Sequence, residues 1–217
     1  RQQDLASHPV RFSDYLKNTQ ALLVAAAGEE NTFQIEDSSN NAAVLVDSAQ
    51  LTTSLINLIS NASDAMSEGG TVTLAAEVRQ IDQSQTQHWN ELQPGEFLVL
   101  SVQDNGIGMN PDQVAQASEP FFTTKSLQFG TGLGLSSVYG FVRQSGGDLK
   151  IISQPNEGTL VRILLPLTTQ QPRELESPAA SVFESSGKRV LLVEDNQSVA
   201  RVLVSVLQQI GMNSTHA

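Results

Sequence analysis

Two glycine-containing segments, one closing an apolar run and one opening another, constrain this chain more than any other feature. Residues 97–102 read Phe-Leu-Val-Leu-Ser-Val, as in a β-strand, and Asp104-Asn-Gly-Ile-Gly108 follows at its end. The second segment, Gly130-Thr-Gly-Leu-Gly-Leu135, opens a run with helical spacing from Leu133 to Gln144. Glycines at a helix start let main-chain N–H groups approach an anion, which the helix dipole also favours. The second segment therefore predicts a phosphate site.

The strand before Asp104 predicts where its side chain points. Side chains alternate along a strand, so Asp104 shares a face with the apolar row Leu98, Leu100 and Val102. A carboxylate that continues an inward-facing row needs donors, and an adenine amine is a suitable one. The alternative is an ordinary turn aspartate followed by turn glycines. The glycines of the second segment have a similar alternative in helix packing. Together the segments indicate one site for a purine and one for its phosphates.

A long helix is predicted from Asp47 or Ser48, as its cap, to Met66, with Gly69-Gly70 beyond its end. Its core face comprises Leu51, Leu55, Leu58, Ala62, Ala65 and Met66. Asn57, Asn61 and Asp64 fall in a separate arc of about 60° on one flank of that face. The amide oxygen of Asn61 suits Mg²⁺, which takes few protein ligands plus phosphate oxygens. The alternative is that these three are ordinary boundary residues.

The remaining elements are read from periodicity and turn residues. A helix is predicted over 13–27 and a short helix after Pro111, within a mobile segment at 110–129. The predicted strands are 32–36, 43–46, 71–78, 97–103, 148–153 and 159–165, with a polar loop between 78 and 97. Residues 168–187 have the composition of a linker. A buried-type strand at 189–193 and a helix to about residue 210 begin a new unit.

Composition excludes several classes of protein. A net charge of −11 argues against binding a nucleic-acid backbone as the main task, and the lack of cysteine excludes disulfides and thiolate metal sites. No apolar run approaches the length that spans a bilayer, so direct membrane insertion by this chain is not expected. The length of 217 residues suits one large domain, or one domain plus a piece.

Four motifs in order resemble the N, G1, F and G2 boxes of sensor histidine kinases. They are residues 57–65 (Asn-Leu-Ile-Ser-Asn-Ala-Ser-Asp-Ala), 104–108, 119–125 (Glu-Pro-Phe-Phe-Thr-Thr-Lys) and 130–135. The resemblance covers about Val10 to Pro166, three quarters of the chain. It implies the Bergerat (GHKL) fold, an α/β (α+β) two-layer sandwich that binds ATP beneath a flexible lid.

The resemblance also implies roles for individual residues. Asn61 would hold Mg²⁺, Asp104 would bond the adenine amine, and Lys125 of the lid would reach phosphate. Thr159 is similar to the strand threonine that supports the adenine aspartate. Asn57, Asn61 and Lys125 form the implied catalytic set. The implied ATP-binding residues are Asn61, Asp64, Ala65, Asp104, Gly106, Ile107, Gly108, Met109, Phe122, Thr123, Thr124, Lys125, Gly130, Thr131, Gly132, Leu133, Gly134, Leu135 and Thr159.

Two departures from family patterns bear on the reaction. Gln128 stands where many histidine kinases have glycine, which predicts a stiffer lid hinge. Asn57 stands where hydrolysing relatives carry a glutamate general base, and an amide cannot abstract a proton from water. Phosphoryl transfer to histidine is therefore the leading hypothesis. A GHKL ATPase with a hydrolysis-driven cycle and a non-catalytic nucleotide-binding docking module are the alternatives.

Residues 190–196 (Val-Leu-Leu-Val-Glu-Asp-Asn) resemble the start of a response-regulator receiver, a flavodoxin-like β-α fragment whose Glu194 and Asp195 would bind Mg²⁺. The predicted domains are 1–9, the tail of a dimerisation region; 10–167, the catalytic domain; 168–187, a linker; and 188–217, a truncated receiver with one strand and one helix. His8, His88 and His216 are poor phosphoacceptors by position. The implied partners are a histidine-bearing dimerisation domain and a receiver or separate response regulator, in a homodimer that faces the cytoplasmic ATP pool.

Overall fold

The structure is a computed structural model, and it describes residues 6–86, 89, 92–123, 132–170, 189–193, 200, 203–204, 207–208 and 211–216. The chain forms two compact units, Arg1–Pro172 and Arg173–Ala217. The elements of the first unit are, in chain order, β1 (His8–Arg11), α1 (Phe12–Ala27), β2 (Thr32–Ser38), β3 (Ala43–Val46), α2 (Ser48–Asp64), β4 (Thr71–Ile81), α3 (Gln83–Thr86), β5 (Gly95–Asp104), α4 (Pro111–Gln116), α5 (Gly134–Gln144), β6 (Asp148–Gln154) and β7 (Gly158–Pro166).

A five-stranded mixed sheet forms one layer of the first unit. Its strand order is β2-β4-β5-β7-β6, with β2 parallel to β4 and the other neighbours antiparallel. Helices α1, α2 and α5 cover one face, and the main hydrophobic core lies between the helices and that face. Leu23 of α1, Leu55 of α2 and Leu100 of β5 are at most 1% exposed in this core. The architecture agrees with the predicted two-layer α/β arrangement.

Helix α2 begins where the sequence predicts and ends two residues earlier. The Asp47 carboxylate accepts hydrogen bonds from the amides of Ala49 (3.0 Å) and Gln50 (3.1 Å), which caps two of the unpaired N–H groups of the first turn. The helix stops at Asp64, and Ala65 is its C-cap. The Ala65 carbonyl accepts a hydrogen bond from the Ile107 amide at 3.1 Å. The early stop therefore leaves a carbonyl for the loop after β5.

Strand β5 shows the predicted alternation. Leu98, Leu100 and Val102 are buried in the main core, and Asp104 is 6% exposed at the end of the same row. Phe97 and Val99 point to the opposite face, where they pack with Ile81, Leu92 and Leu164 in a second apolar cluster. The segment between β4 and β5, predicted as a polar loop, contains α3 and contributes buried Leu92 to this cluster.

The start of the first unit differs from the prediction. Residues 1–9 were predicted as a polar tail, but His8 and Pro9 belong to β1 and pair with Val46 and Leu45 of β3 in an antiparallel two-stranded sheet. This pairing is non-local and leaves no alternating pattern in the sequence. The structure therefore places residues 8 and 9 with the first unit.

The second unit contains two parallel strands, β8 (Arg189–Leu192) and β9 (Asn213–His216). Residues 200, 203–204 and 207–208 between them are helical. Parallel neighbours need a crossover connection, which these helical residues supply. The sequence predicted a single strand in this unit, so β9 is a second strand that was not predicted. The predicted linker lies mostly outside the described residues. None of the helices in the described part is both long and apolar enough to cross a bilayer.

Candidate functional site

The site is built around Asp104, the last residue of β5. Its Oδ1 atom accepts hydrogen bonds from the amides of Gly106 at 2.9 Å and Thr159 at 3.1 Å. Burial raises the pKa of this carboxyl, and the two amide hydrogen bonds oppose that shift. Both bonds end on Oδ1, so within the described residues Oδ2 has no donor. This oxygen is the acceptor that the site offers to a ligand.

Thr159 contacts Asp104 through its main chain. Its main-chain amide, not its hydroxyl, contacts the carboxylate. The hydroxyl lies 2.9 Å from the Ser153 Oγ. The structure thus identifies the atom of Thr159 that contacts the carboxylate, and the part of Thr159 in adenine binding stays a prediction.

The glycines after Asp104 are required by contacts within the protein. A Cβ atom on Gly106 would lie 2.5 Å from the Ala65 carbonyl oxygen. Gly108 has φ +61°, and a Cβ there would lie 1.9 Å from the Gln154 carbonyl oxygen. The Ile107 carbonyl accepts the Asn156 amide at 2.7 Å. The loop is thus pressed between the end of α2 and the β6–β7 turn, and only glycine fits at these two positions. Ile107 itself is 66% exposed.

The start of α5 lies against the polar flank of α2. A Cβ on Gly134 would be 3.8 Å from both the Asn57 Cγ and the Asn61 Nδ2. Leu133 is the N-cap of α5, and its own side chain makes no capping hydrogen bond. Main-chain N–H groups in the first turn of a helix favour an anion. Asn61 and Ala65 are one helical turn apart, about 6 Å along the axis, so α2 brings the α5 start and the Asp104 loop to one site.

A main-chain hydrogen bond joins the two ends of the segment predicted as a lid. The Phe121 amide donates to the Gly132 carbonyl at 2.9 Å. Phe121 has φ +69° and is 75% exposed, while Gly132 has φ +66° and lies against the Phe121 main chain. Phe122 and Thr123 are half-buried. The predicted site residues Thr124, Lys125, Gly130 and Thr131 lie outside the described residues.

The donor set at α2 fits Mg²⁺ carried by a nucleotide. Asn61 and Asp64 are both exposed on α2, and Asn61 lies beside the α5 start. They offer an amide oxygen and a carboxylate, both hard oxygen ligands. In the part of the chain that the structure describes, no group of three His, Cys, Asp or Glu side chains could hold a metal by itself. Such a site needs phosphate oxygens to complete the coordination. The other predicted Mg²⁺ ligands, Glu194 and Asp195, lie outside the described residues.

Two polar residues that the sequence did not single out also hold the site together. The Asn105 Oδ1 accepts the Thr71 amide at 2.9 Å and fastens the Asp104 loop to β4. The Ser153 Oγ accepts the Met109 amide at 2.8 Å and donates to the Gly158 carbonyl at 2.9 Å. The position of Asn105 directly after a strand-end aspartate was a usable signal. Ser153 gave none, because its role depends on the pairing of β6 with β7.

Comparison with known proteins places this geometry in a family. Residues 46–169 match the family model described as histidine kinase-, DNA gyrase B-, and HSP90-like ATPase. The sensor kinase CckA of Brucella abortus (strain 2308) is 33% identical over 219 residues, covering 97% of this chain and 23% of that protein. Sporulation kinase E of Bacillus subtilis (strain 168) is 29% identical over 153 residues, covering 70% of this chain and 19% of that protein. This chain therefore spans about a fifth to a quarter of the length of these relatives.

Solved structures show the same fold. The mycobacterial sensor histidine kinase MprB has a TM-score of 0.57 at 24% identity, covering 77% of this chain and 99% of that chain. Full-length ShkA in complex with AMPPNP has a TM-score of 0.61 at 24% identity, covering 100% of this chain and 42% of that chain. The sheet-and-helix fold is thus that of histidine kinase catalytic domains. Since the matched region is more than half of its length, the chain belongs to the histidine kinase-, DNA gyrase B-, and HSP90-like ATPase family.

Proposed function

We propose that this chain is the catalytic ATP-binding domain of a sensor histidine kinase. The observation that carries the proposal is the buried Asp104, whose Oδ1 is held by two main-chain amides and whose Oδ2 is left for a donor. The start of α5 lies against Asn61, about one helical turn from the Asp104 loop. An acceptor at one end and main-chain donors at the other suit a base with an exocyclic amine and a chain of phosphates.

Each part of the site has a defined role in this proposal. The adenine amine donates to Asp104, and the phosphates lie at the N–H groups of the first turn of α5. Asn61 would hold Mg²⁺ together with phosphate oxygens, with Asp64 beside it. Bound Mg²⁺ would neutralise charge on the transferred phosphoryl group. Lys125 and the glycines at 130 and 132 belong to the lid and the phosphate loop, as the family motifs imply.

Transfer to a histidine fits the site better than hydrolysis does. Asn57 lies beside the α5 start, at the position where hydrolysing relatives carry a general base, and an amide cannot take a proton from water. Catalysis then rests on positioning and charge neutralisation. The phosphoryl acceptor is a histidine on a dimerisation domain of the same protein, which we propose to be a homodimer working from the cytoplasmic ATP pool. His8 is an unsuitable acceptor because it lies in β1, with its ring Nδ1 3.0 Å from the Ala6 carbonyl.

We further infer that the second unit is the beginning of a receiver domain, which makes the protein a hybrid kinase. Parallel strands β8 and β9 with helical residues between them suit the first β-α-β unit of a flavodoxin-like sheet. CckA of Brucella abortus aligns with 97% of this chain, so the similarity continues past residue 170. Glu194 and Asp195 directly follow the strand and would bind Mg²⁺ once the receiver is complete. This receiver, or a separate response regulator, would take the phosphoryl group from the histidine.

Calorimetric titration of the chain with a non-hydrolysable ATP analogue, with and without Mg²⁺, tests the proposal. Saturable binding that Mg²⁺ strengthens is expected, with Asp112→Asn at the exposed start of α4 as a control that binds like wild type. A second step supplies a matched histidine-bearing helical domain and labelled ATP, and phosphohistidine should form. Rapid ATP hydrolysis without transfer would favour the ATPase alternative. Binding without transfer or hydrolysis would favour a nucleotide-dependent docking module.

A further inference from the structure

Asn105 and Gly106 form the only Asn-Gly sequence in the chain, and this dipeptide directly follows β5. An asparagine followed by glycine is chemically reactive, because glycine has no Cβ to hinder attack of its main-chain nitrogen on the side-chain amide carbon before it. The Asn105 side chain is also exposed, so water can reach it. The folded chain nevertheless holds both of the groups that would react.

Each reacting group is hydrogen-bonded to a different partner. The Gly106 amide, whose nitrogen would attack, donates to the Asp104 Oδ1 at 2.9 Å. The Asn105 Oδ1, on the carbon that would be attacked, accepts the Thr71 amide at 2.9 Å. A Cβ on Gly70 would lie 2.5 Å from the same Oδ1, so the Asn105 amide rests against the main chain at the start of β4. Ring closure requires this amide to turn back over its own main chain, and both hydrogen bonds must break first.

The charge of Asp104 opposes the reaction as well. A main-chain nitrogen attacks after it has lost its proton, so negative charge would develop on the Gly106 nitrogen while it contacts the carboxylate. Like charges at such a short distance repel each other. A carboxylate is also far too weak a base to take the proton of an amide. Asp104 therefore slows the reaction through both its hydrogen bond and its charge.

We propose that Asn105 is a deamidation site, which Asp104 and Thr71 keep unreactive in the folded chain. When the loop opens, the Gly106 nitrogen forms a bond to the Asn105 Cγ. The bond from Cγ to the side-chain nitrogen breaks, and ammonia leaves with the proton of the attacking nitrogen. Water then opens the resulting succinimide ring at either of its carbonyls, which gives aspartate or isoaspartate at position 105. Water is the only other reactant in this sequence of steps.

The isoaspartate product would disrupt the loop that holds Asp104. Its main chain carries one additional carbon before the nitrogen of residue 106, so Gly106 must shift. The loop has no room for this shift, because a Cβ on Gly106 would lie 2.5 Å from the Ala65 carbonyl oxygen, which already accepts the Ile107 amide at 3.1 Å. Loss of base binding would follow. This consequence rests on the proposed nucleotide-binding function, whereas the deamidation itself does not.

The experiment incubates the nucleotide-free chain at mildly alkaline pH and measures conversion of residue 105 by site-resolved peptide mass spectrometry. A synthetic peptide of residues 100–110 gives the rate without the fold. We expect the chain to react at least about tenfold more slowly than the peptide. Asp104→Ala removes the acceptor of the Gly106 amide and should react at least about tenfold faster than wild type. Asp104→Asn keeps an acceptor oxygen and should react within about threefold of wild type.

Ser153→Ala is the matched control for loosening of the same loop. It removes the acceptor of the Met109 amide but leaves both reacting groups held, so it should react within about threefold of wild type. Thr71→Pro gives a second test if Asp104→Ala lacks a cooperative unfolding transition. Proline is tolerated at the first residue of a strand, and this change removes the N–H that holds the Asn105 amide. Thr71→Pro should react about three- to tenfold faster than wild type.

Three results would overturn the proposal: a wild-type rate equal to that of the peptide, folded Asp104→Ala or Thr71→Pro chains that react as slowly as wild type, or a Ser153→Ala chain that reacts as fast as Asp104→Ala. Chains that contain isoaspartate should fail to bind a non-hydrolysable ATP analogue that unmodified chains of the same sample bind. Equal binding by both would refute the consequence for the loop. Failure of the unmodified chains to bind would overturn the proposed function and leave the deamidation site standing.

Discussion

Replacing Asp104 by asparagine separates the stability of this fold from its nucleotide binding. Asparagine keeps an oxygen that can accept the Gly106 and Thr159 amides, so the two main-chain hydrogen bonds persist. The NH₂ group then replaces Oδ2 and presents a donor to the donor amine of the base. A hydrogen bond to a charged acceptor contributes about 1.5–3 kcal/mol, so ATP should bind roughly 10- to 150-fold more weakly.

At neutral pH, Asp104→Asn should weaken ATP binding but raise the free energy of unfolding. Burial raises the pKa of Asp104 in the folded state, so the folded state binds this proton more readily than the unfolded state does. The contribution of Asp104 to stability is then fully present below the unfolded pKa of about 3.9, and it is lost as pH rises through the folded pKa. The asparagine variant does not titrate. Its stability relative to wild type should therefore increase between these two pKa values and stay constant above them.

Two assays check this reasoning on the same samples. Calorimetric titration gives the dissociation constant for ATP, and urea unfolding at a series of pH values gives the free energy of unfolding. Asp112→Asn, at an exposed carboxylate in the first turn of α4, is the control and should alter neither quantity strongly. An ATP affinity within about threefold of wild type would remove Asp104 from the base site. A variant that is less stable than wild type at pH 7 would show that the two amide hydrogen bonds to the carboxylate outweigh the cost of burying its charge.

Two further substitutions test the packing of the site and the fold. Gly108→Ala should lower the free energy of unfolding by about 2–4 kcal/mol in urea denaturation, because φ is +61° and the added Cβ meets the Gln154 carbonyl oxygen. The control is Gly140→Ala, which should not destabilise because nothing lies within 4 Å of the added Cβ. Equal losses in the two variants would refute the close-approach argument. Ser39→Ala should raise the melting temperature, since removing a fully buried hydroxyl that has no partner in the described residues recovers about 1 kcal/mol; a lower melting temperature would mean that this hydroxyl is bonded.

Local pattern was sufficient to predict the parts of the site that depend on one element. The alternation of β5 places Asp104 on the core face, and the 3.6-residue period of α2 places Asn57 and Asn61 beside its apolar stripe, as the structure shows. The described part of the glycine-rich segment, residues 132–135, lies at the start of α5 as predicted. These features follow from backbone geometry that a short stretch of sequence determines by itself.

The features that escaped prediction depend on strands that are distant in sequence. His8 and Pro9 form a strand only because β3 pairs with them, and β9 likewise forms a strand through its pairing with β8. The role of Ser153 depends on its register opposite Thr159. A side chain changes face when register shifts by one residue, so no local pattern specifies such a contact.

The glycines of the Asp104 loop show why a motif alone does not identify its physical cause. Gly106 and Gly108 are among the residues that the resemblance implies for ATP binding, but carbonyls of the protein itself already exclude a Cβ at both positions. Their identity is explained by packing whether or not a nucleotide binds. Asp104 is different, because burial makes its charged form unfavourable and, among the described residues, it receives only two amide donors, both at one oxygen. Folding alone would favour a neutral amide at this position, and one carboxylate oxygen has no donor among the described residues. Packing therefore does not explain this carboxylate, whereas a hydrogen-bond donor on a ligand does.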